Sequence, residues 1–319
     1  MIMDDLALVF PGQGSQKIGM LSAAAEAHPS VLQTFAEASE ALGYDVWDLV
    51  QNGEQEQLNL TETTQPVLLT SSIALWRAWR AAGGPVPARM AGHSLGEFSA
   101  LVAAGAIALP DAVRLVRERG AAMQTAVPVG EGAMAAIIGL DDSGVNSACE
   151  AAASESGGVV AAVNYNSPGQ VVIAGHTAAV ERAGELCKEA GAKRAMPLPV
   201  SAPFHTELMK PAGERLAEVL AEITVSAPDI PVVHNVHAET ETDPARIREL
   251  LVEQISSPVK WTDCVVAMQG AGVARVVECG PGAVLSGLCR RIDKSLESHA
   301  IEEPGSFDTA LAALKGEAA

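Results

Sequence analysis

The sequence predicts an α/β fold in which one βαββαβ segment interrupts a longer run of strands and helices, and three observations carry that prediction. Short apolar runs such as Leu6-Ala7-Leu8-Val9-Phe10 and Val273 to Cys279 end in glycine turns, as strands buried on both faces of a sheet do. Other segments repeat apolar residues at three- and four-residue steps, the period of helices lying on such a sheet. Gly132 to Pro199 alternates short strand and helix signals in an order of its own. A chain of 319 residues with 48% hydrophobic content can bury a sizeable core, and with 3% aromatic residues that core must be aliphatic.

Taken in order, Leu6 to Phe10 reads as a strand entering the loop Pro11-Gly12-Gln13-Gly14-Ser15-Gln16. That loop lacks the Lys-Ser/Thr ending of a phosphate-binding loop and does not match G-x-G-x-x-G, so its glycines are read as letting backbone N–H groups approach a reacting centre. Helices are expected over Ala23 to Leu42 and Thr63 to Ala82. Ala88 to Ala91 is a brief strand entering Gly92-His93-Ser94-Leu95-Gly96, a G-x-S-x-G turn that pushes a serine hydroxyl into the open, followed by a helix from Glu97 to Ala104. A helix starting there aims free N–H groups and its positive dipole end at an oxygen that becomes negative in acyl transfer. A serine that merely caps the helix would give the same pattern. Asp111 to Thr125 is a helix carrying Arg114, Arg117 and Arg119, residues that are ordinarily solvated.

The interrupting segment reads strand (Ala133 to Leu140), helix (Gly144 to Ala153), strand (Val159 to Asn166), strand (Gln170 to Gly175), helix (Thr177 to Ala190) and strand (Lys193 to Pro199), a ferredoxin-like order. Asn166-Ser167-Pro168-Gly169 is its hairpin turn. His205 follows at the seam with the main body, then a helix from Glu207 to Ile223. Pro231 to Val236 reads as a strand, Asp243 to Ile255 as a helix with Gln254 near its end, and Val273 to Cys279 as a strand. The last helices, to Leu314, read as surface cover with a frayed tail.

Five cysteines without a C-x-x-C pair indicate neither a disulfide framework nor a zinc site, and no metal is expected. A net charge of −18 argues against nucleic acid. No apolar run approaches bilayer length, and the acidic start Met3-Asp4-Asp5 is unlike a secretory signal, so a cytoplasmic protein without membrane association is expected.

Together, Gly12 to Gln16, Gly92 to Glu97, Arg119-Gly120, Asn164 to Gln170, Ala202 to His205 and Glu278 to Gly282 closely resemble the malonyl-CoA:acyl carrier protein transacylases of fatty acid and polyketide synthesis. Six motifs in the family's order, from near residue 10 to near residue 290, make the resemblance chain-long. It implies an α/β-hydrolase-like large subdomain, residues 1–130 and 200–319, with the ferredoxin-like unit inserted at 131–199.

By resemblance, Ser94 takes malonyl from coenzyme A as an ester and passes it to the phosphopantetheine thiol of acyl carrier protein, with His205 as general base. The sequence offers no evident aspartate for His205, and the family uses a carbonyl oxygen at the Gln254 position. Backbone N–H groups of Gln13 and Leu95 would form the oxyanion hole. Arg119 would hold the malonyl carboxylate in a two-pronged grip, with Gln65 in the same pocket. Leu95 and Phe204 match malonyl-selective members, and Asn164 and Asn166 match positions at the coenzyme A entrance, although Asn166 also suits the hairpin turn. Malonyl-CoA is then a substrate and no permanently bound cofactor is implied. The acidic carrier protein needs a local basic patch, for which Lys188, Lys193, Arg194, Arg290, Arg291 and Lys294 are the candidates. A monomer is expected. The rival reading is a serine hydrolase or thioesterase using the same serine and histidine, and a third is a noncatalytic scaffold. Arg119 and the missing triad acid favour transfer.

Overall fold

The computed structural model describes residues 2–200 and 202–316. Its strands run β1 (Ile2–Phe10), β2 (Val86–Gly92), β3 (Gly132–Ile138), β4 (Val160–Ser167), β5 (Gln170–His176), β6 (Arg194–Pro197), β7 (Val232–Val233), β8 (Arg275–Glu278) and β9 (Glu297–Ala300). They form a mixed α/β fold with two separate sheets. The larger is parallel throughout in the order β7-β2-β1-β8-β9, and the smaller is antiparallel in the order β4-β5-β3-β6.

β1 explains why the first apolar run has no polar alternation. Leu6, Leu8 and Phe10 face one core with the helices Ser30–Leu42, Thr61–Ala81, Leu95–Ala103 and Leu109–Thr125, while Ala7 and Val9 face a second core with Trp261–Gly270 and Val284–Ile292. Burial on both sides favours a continuous apolar strand, and each large side chain so placed contributes about 1.5–3 kcal/mol. The smaller sheet has a third core, against the helices Asp142–Ser156 and Thr177–Glu189.

Several expected elements take a different form. The helix expected over Ala23 to Leu42 is two, Ser22–Ala27 and Ser30–Leu42. Pro29 lacks an N–H and forces the preceding residue out of the helical region, and His28 accordingly sits at φ −132°, ψ 101°. The strand expected over Pro231 to Val236 shrinks to β7, because His234 N–H donates to Glu239 and Ala238 N–H donates to His234, turning the chain out of the ladder. β9 and the Trp261–Gly270 helix were not anticipated; β9 reads Glu-Ser-His-Ala, with no apolar alternation, as a short edge strand can. The last helices do more than cover the surface, since Leu285, Leu288, Phe307 and Leu314 are buried. The frayed tail falls on 317–319, outside the described residues.

Along β4 the smaller sheet is tied to the start of the Trp261–Gly270 helix and the segment just before it. Tyr165 N–H donates to Val259 O at 3.0 Å, Val259 N–H donates to Val163 O at 2.8 Å, and Thr262 Oγ1 donates to Tyr165 O at 3.0 Å. Among the described residues, no helix is long and apolar enough to cross a membrane.

At the carboxyl end of β8 the buried Glu278 accepts hydrogen bonds from the N–H groups of Val284, Leu285 and Ser286, at 3.1, 3.0 and 2.8 Å. It supplies the acceptors that the first turn of the Val284–Ile292 helix lacks. Glu278→Ala leaves those donors unmet in a dry setting, so it should lower stability by about 2–4 kcal/mol. Chemical denaturation followed by circular dichroism checks this, and an unchanged midpoint would contradict it.

Candidate active site

β2 delivers the chain to Gly92, and a helix begins at Leu95. A Cβ on Gly92 would overlap the Gly96 backbone, and one on Gly96 would overlap the Phe10 carbonyl. Both positions therefore exclude any side chain, which lets the turn fold tightly enough to hold Ser94 at φ 51°, ψ −105°. Such a backbone costs of order 1–3 kcal/mol outside glycine and persists only where its surroundings impose it.

The surroundings are visible. Ser94 N–H donates to Asn235 Oδ1 at 2.8 Å, and Asn235 Nδ2 donates to Gly92 O at 2.7 Å, so one side chain clamps both sides of the turn. The Ser94 hydroxyl makes no capping bond to the helix it precedes. The helix-cap alternative therefore fails, and the hydroxyl is left for chemistry.

Ser94 Oγ lies 2.9 Å from His205 Nε2, and Arg119 Nη2 donates to it at 3.1 Å. His205, also at positive φ (64°), places Nδ1 2.9 Å from the backbone oxygen of Gln254. Gln254 ends the Pro244–Gln254 helix, where carbonyls lack intrahelical donors and carry partial negative charge. A carbonyl can only accept, so Nδ1 carries the proton and Nε2 is the acceptor facing the hydroxyl. Burial first, and then the Arg119 charge, push the His205 pKa down to about 3, against the opposing pull of the Gln254 carbonyl. The imidazole is thus a neutral base at ordinary pH.

Arg119 is wholly buried, against the usual fate of a helix arginine. Nη1 donates to Gln65 Oε1 and Nη2 to Gln254 Oε1, both at 2.8 Å, and the guanidinium carbon stands 5.0 Å from the centre of the Phe98 ring. Burial lowers its pKa to about 10, with Glu97 pulling the other way, so it remains a cation. Its Nε has no partner, and no acidic group lies within ion-pair distance among the described residues.

The structure brings Ser94, His205, Gln254, Arg119 and Gln65 into one hydrogen-bonded group. Leu95 is buried, and its N–H, the first of the helix, has no partner among the described residues. Gln13 is exposed, on the loop that passes the serine turn: His93 N–H donates to Phe10 O at 3.0 Å, and a Cβ on Gly12 would come 2.7 Å from His93 O. Phe204 is buried in the main core immediately before His205. Asn164 lies on β4, half-buried, with Oδ1 unpartnered among the described residues. Asn166 is a β4 residue whose Oδ1 lies 2.8 Å from His93 Nε2, so it ties the smaller sheet to the serine turn as well as preceding the hairpin. Burial lowers the His93 pKa, keeping that imidazole neutral too.

Two residues of the site went unrecognised in the sequence, Glu97 and Asn235. Glu97 accepts from His234 Nδ1, Asn235 N–H and Gln254 Nε2 at 2.8, 2.8 and 2.9 Å. Its S-x-x-E spacing from Ser94 suggests a capping box, which does not form: Ser94 makes no side-chain cap and its N–H goes to Asn235 instead. Asn235 lies two residues beyond β7, at the carboxyl edge of a parallel sheet, where reactive groups collect. Among the described residues, no group of His, Cys, Asp and Glu could hold a metal ion.

The acyl transferase domain family matches residues 7–309. The malonyl CoA-acyl carrier protein transacylase of Salmonella typhimurium is 59% identical over 309 residues, 97% of this chain and 99% of that protein. An acyl carrier protein S-malonyltransferase structure from Vibrio cholerae is 57% identical with a TM-score of 0.94, covering 96% of this chain and 99% of its own. A malonyl-transacylase solved in complex with its type II polyketide synthase acyl carrier protein is 54% identical with a TM-score of 0.95, covering 97% of this chain and 99% of that one.

The depressed pKa of His205 has a measurable sign. A base with a lowered pKa stays unprotonated as pH falls and is lost only near its own low value. Labelling of Ser94 by a fluorophosphonate should therefore keep a constant rate from about pH 8 down to about pH 5, where an ordinary histidine would have halved it near ~6.5. A half-fall near the ordinary value would contradict the assignment.

Proposed function

The chain belongs to the acyl transferase domain family, and on that premise we propose that it moves malonyl from malonyl-CoA to the phosphopantetheine thiol of acyl carrier protein. One observation carries the choice of acyl group: a buried cation without an acidic partner, within hydrogen-bond reach of the nucleophile. Malonyl sets its carboxylate two carbons beyond the carbonyl that Ser94 attacks, which suits a guanidinium that already touches Oγ. Leaving such a charge pair half-made costs about 3–5 kcal/mol.

Ser94 Oγ attacks the thioester carbon while His205 Nε2 takes its proton. The N–H groups of Leu95 and Gln13 receive the oxyanion, a role worth about 2.7–4 kcal/mol per donor. Collapse expels the coenzyme A thiolate, which takes the proton back from His205, and malonyl remains as an ester on Ser94. The carrier thiol then gives its proton to His205 and attacks the ester carbonyl; collapse leaves malonyl as a thioester on the carrier, and the departing Ser94 oxygen takes the proton back from His205. The carboxylate also balances the Arg119 charge that depresses His205, so malonyl raises the basicity of the histidine it needs. Gln65 and Gln254 hold the guanidinium, Leu95 and Phe204 border the acyl site, and Asn164 lines the coenzyme A approach.

The hydrolase alternative is not favoured. It has no use for a buried unpaired arginine, and the relatives above are transacylases. The finer architecture belongs to this reading. Residues 131–199 form a ferredoxin-like insertion, supported by the β4-β5-β3-β6 order, and the flanking chain forms an α/β-hydrolase-like unit, supported by a parallel sheet with the serine turn at the end of β2.

Carrier docking would use the six exposed cations, none of which has an acidic partner among the described residues. Arg194 and Gln170 flank Ile138 on neighbouring strands, and Arg291 Nη1 donates to Gln170 Oε1, so cations from two chain segments share one face. Charge reversal of Lys193 and Arg194 should raise the carrier KM at least ~3-fold at low salt and leave Ser94 acylation by malonyl-CoA unchanged. An unaltered KM would move the docking face elsewhere.

Intact-protein mass spectrometry tests the reaction itself. Malonyl-CoA should add one malonyl group at Ser94 that persists until pantetheinylated carrier is supplied, whereas prompt release of malonate would indicate a hydrolase. Arg119→Ala should lose ~10²-fold or more of malonyl transfer while keeping acetyl transfer.

A further inference from the structure

Beneath the serine turn, Glu97 is wholly buried, and donors from three places converge on it: His234 Nδ1 on Oε1, and Asn235 N–H and Gln254 Nε2 on Oε2. None of these donors is the Ser94 hydroxyl, the His205 imidazole or the Arg119 guanidinium. Their effect is transmitted through Gln254, whose carboxamide is held in one sense. Its Nε2 donates to Glu97 Oε2 at 2.9 Å and to Ser94 O at 3.0 Å, while its Oε1 accepts from Arg119 Nη2 at 2.8 Å. Turned over, the amide would set its NH₂ against the guanidinium donors and its oxygen against a carboxylate and a carbonyl. Every contact at both ends would become repulsive at once.

We propose that Glu97 is a positioning residue that fixes the sense of the Gln254 carboxamide and thereby holds Arg119 where it meets the malonyl carboxylate. The inference rests on the transacylase reading above. A second branch runs through Asn235, whose N–H is bound by Glu97 and whose Oδ1 receives Ser94 N–H. The branches are separable by experiment. Loss of the Asn235 branch loosens the serine turn and slows every acyl donor alike, whereas loss of the Gln254 branch, which also removes one bond to Ser94 O, adds a penalty specific to donors that use Arg119.

Glu97→Gln keeps the shape and replaces one acceptor oxygen by a donor. It should lower kcat/KM for malonyl-CoA about tenfold more than for acetyl-CoA, the size expected for one hydrogen bond to a charged group. Gln254→Met removes the carboxamide but keeps the backbone oxygen that orients His205, and should cost the same preference. The double variant should then show no further loss of preference beyond Gln254→Met alone. Equal proportional losses for the two donors, or additive losses of preference, would overturn the proposal. If Glu97→Gln shows no cooperative melt, Gln254→Met decides: an intact malonyl preference there overturns it. Absence of malonyl transfer by the unsubstituted protein would instead strike the transacylase reading.

Discussion

Keeping Arg119 charged in a dry interior is the constraint on which the rest of the site depends. A guanidinium removed from water demands acceptors on most of its N–H groups. The chain answers with neutral ones, the amide oxygens of Gln65 and Gln254 and the Ser94 hydroxyl, together with the face of Phe98. An adjoining aspartate would have satisfied the arginine and left it nothing to recognise. With amides the cation is solvated in place while its charge stays unbalanced by any direct partner. The nearest negative group, Glu97, acts on it through space and through Gln254.

The same charge shapes the base. Only backbone groups at the end of the Pro244–Gln254 helix and just beyond it, Gln254 and Ser257, favour the protonated form of His205, and Arg119 adds to the burial that keeps it neutral. Both members of the pair sit at positive φ, alongside only Leu21 and Ala238 among the described non-glycine residues. Backbone strain gathered at Ser94 and His205 is held by a framework around it: β1 passing under the turn, Asn235 clamping it, and the Pro244–Gln254 helix ending at the imidazole. Preorganisation here is a property of backbone positions as much as of side chains.

What was legible in the sequence was local. The double-faced burial of β1, the bulk-free turn around Ser94 and the alternation between Gly132 and Pro199 are all written in adjacent residues, and the structure has them within a few residues of the expected bounds. Arg119, Gln65 and Gln254 were identified through resemblance, since an arginine and two glutamines on helices carry no local mark of burial. Glu97 and Asn235 escaped because their meaning arises only when three distant segments converge on one carboxylate. The break at Pro29 follows from rules available in the sequence, whereas β9 has too little apolar pattern to declare itself.

Gln254 serves the site twice, with its main chain orienting the histidine and its side chain steadying the arginine. Any amino acid at that position retains the first contribution, because every residue carries a carbonyl, while only a few can make the second. The contact to the imidazole and the contact to the guanidinium therefore reside in different parts of one residue. A change of side chain at this helix end would alter the hold on Arg119 and leave in place the carbonyl that faces His205.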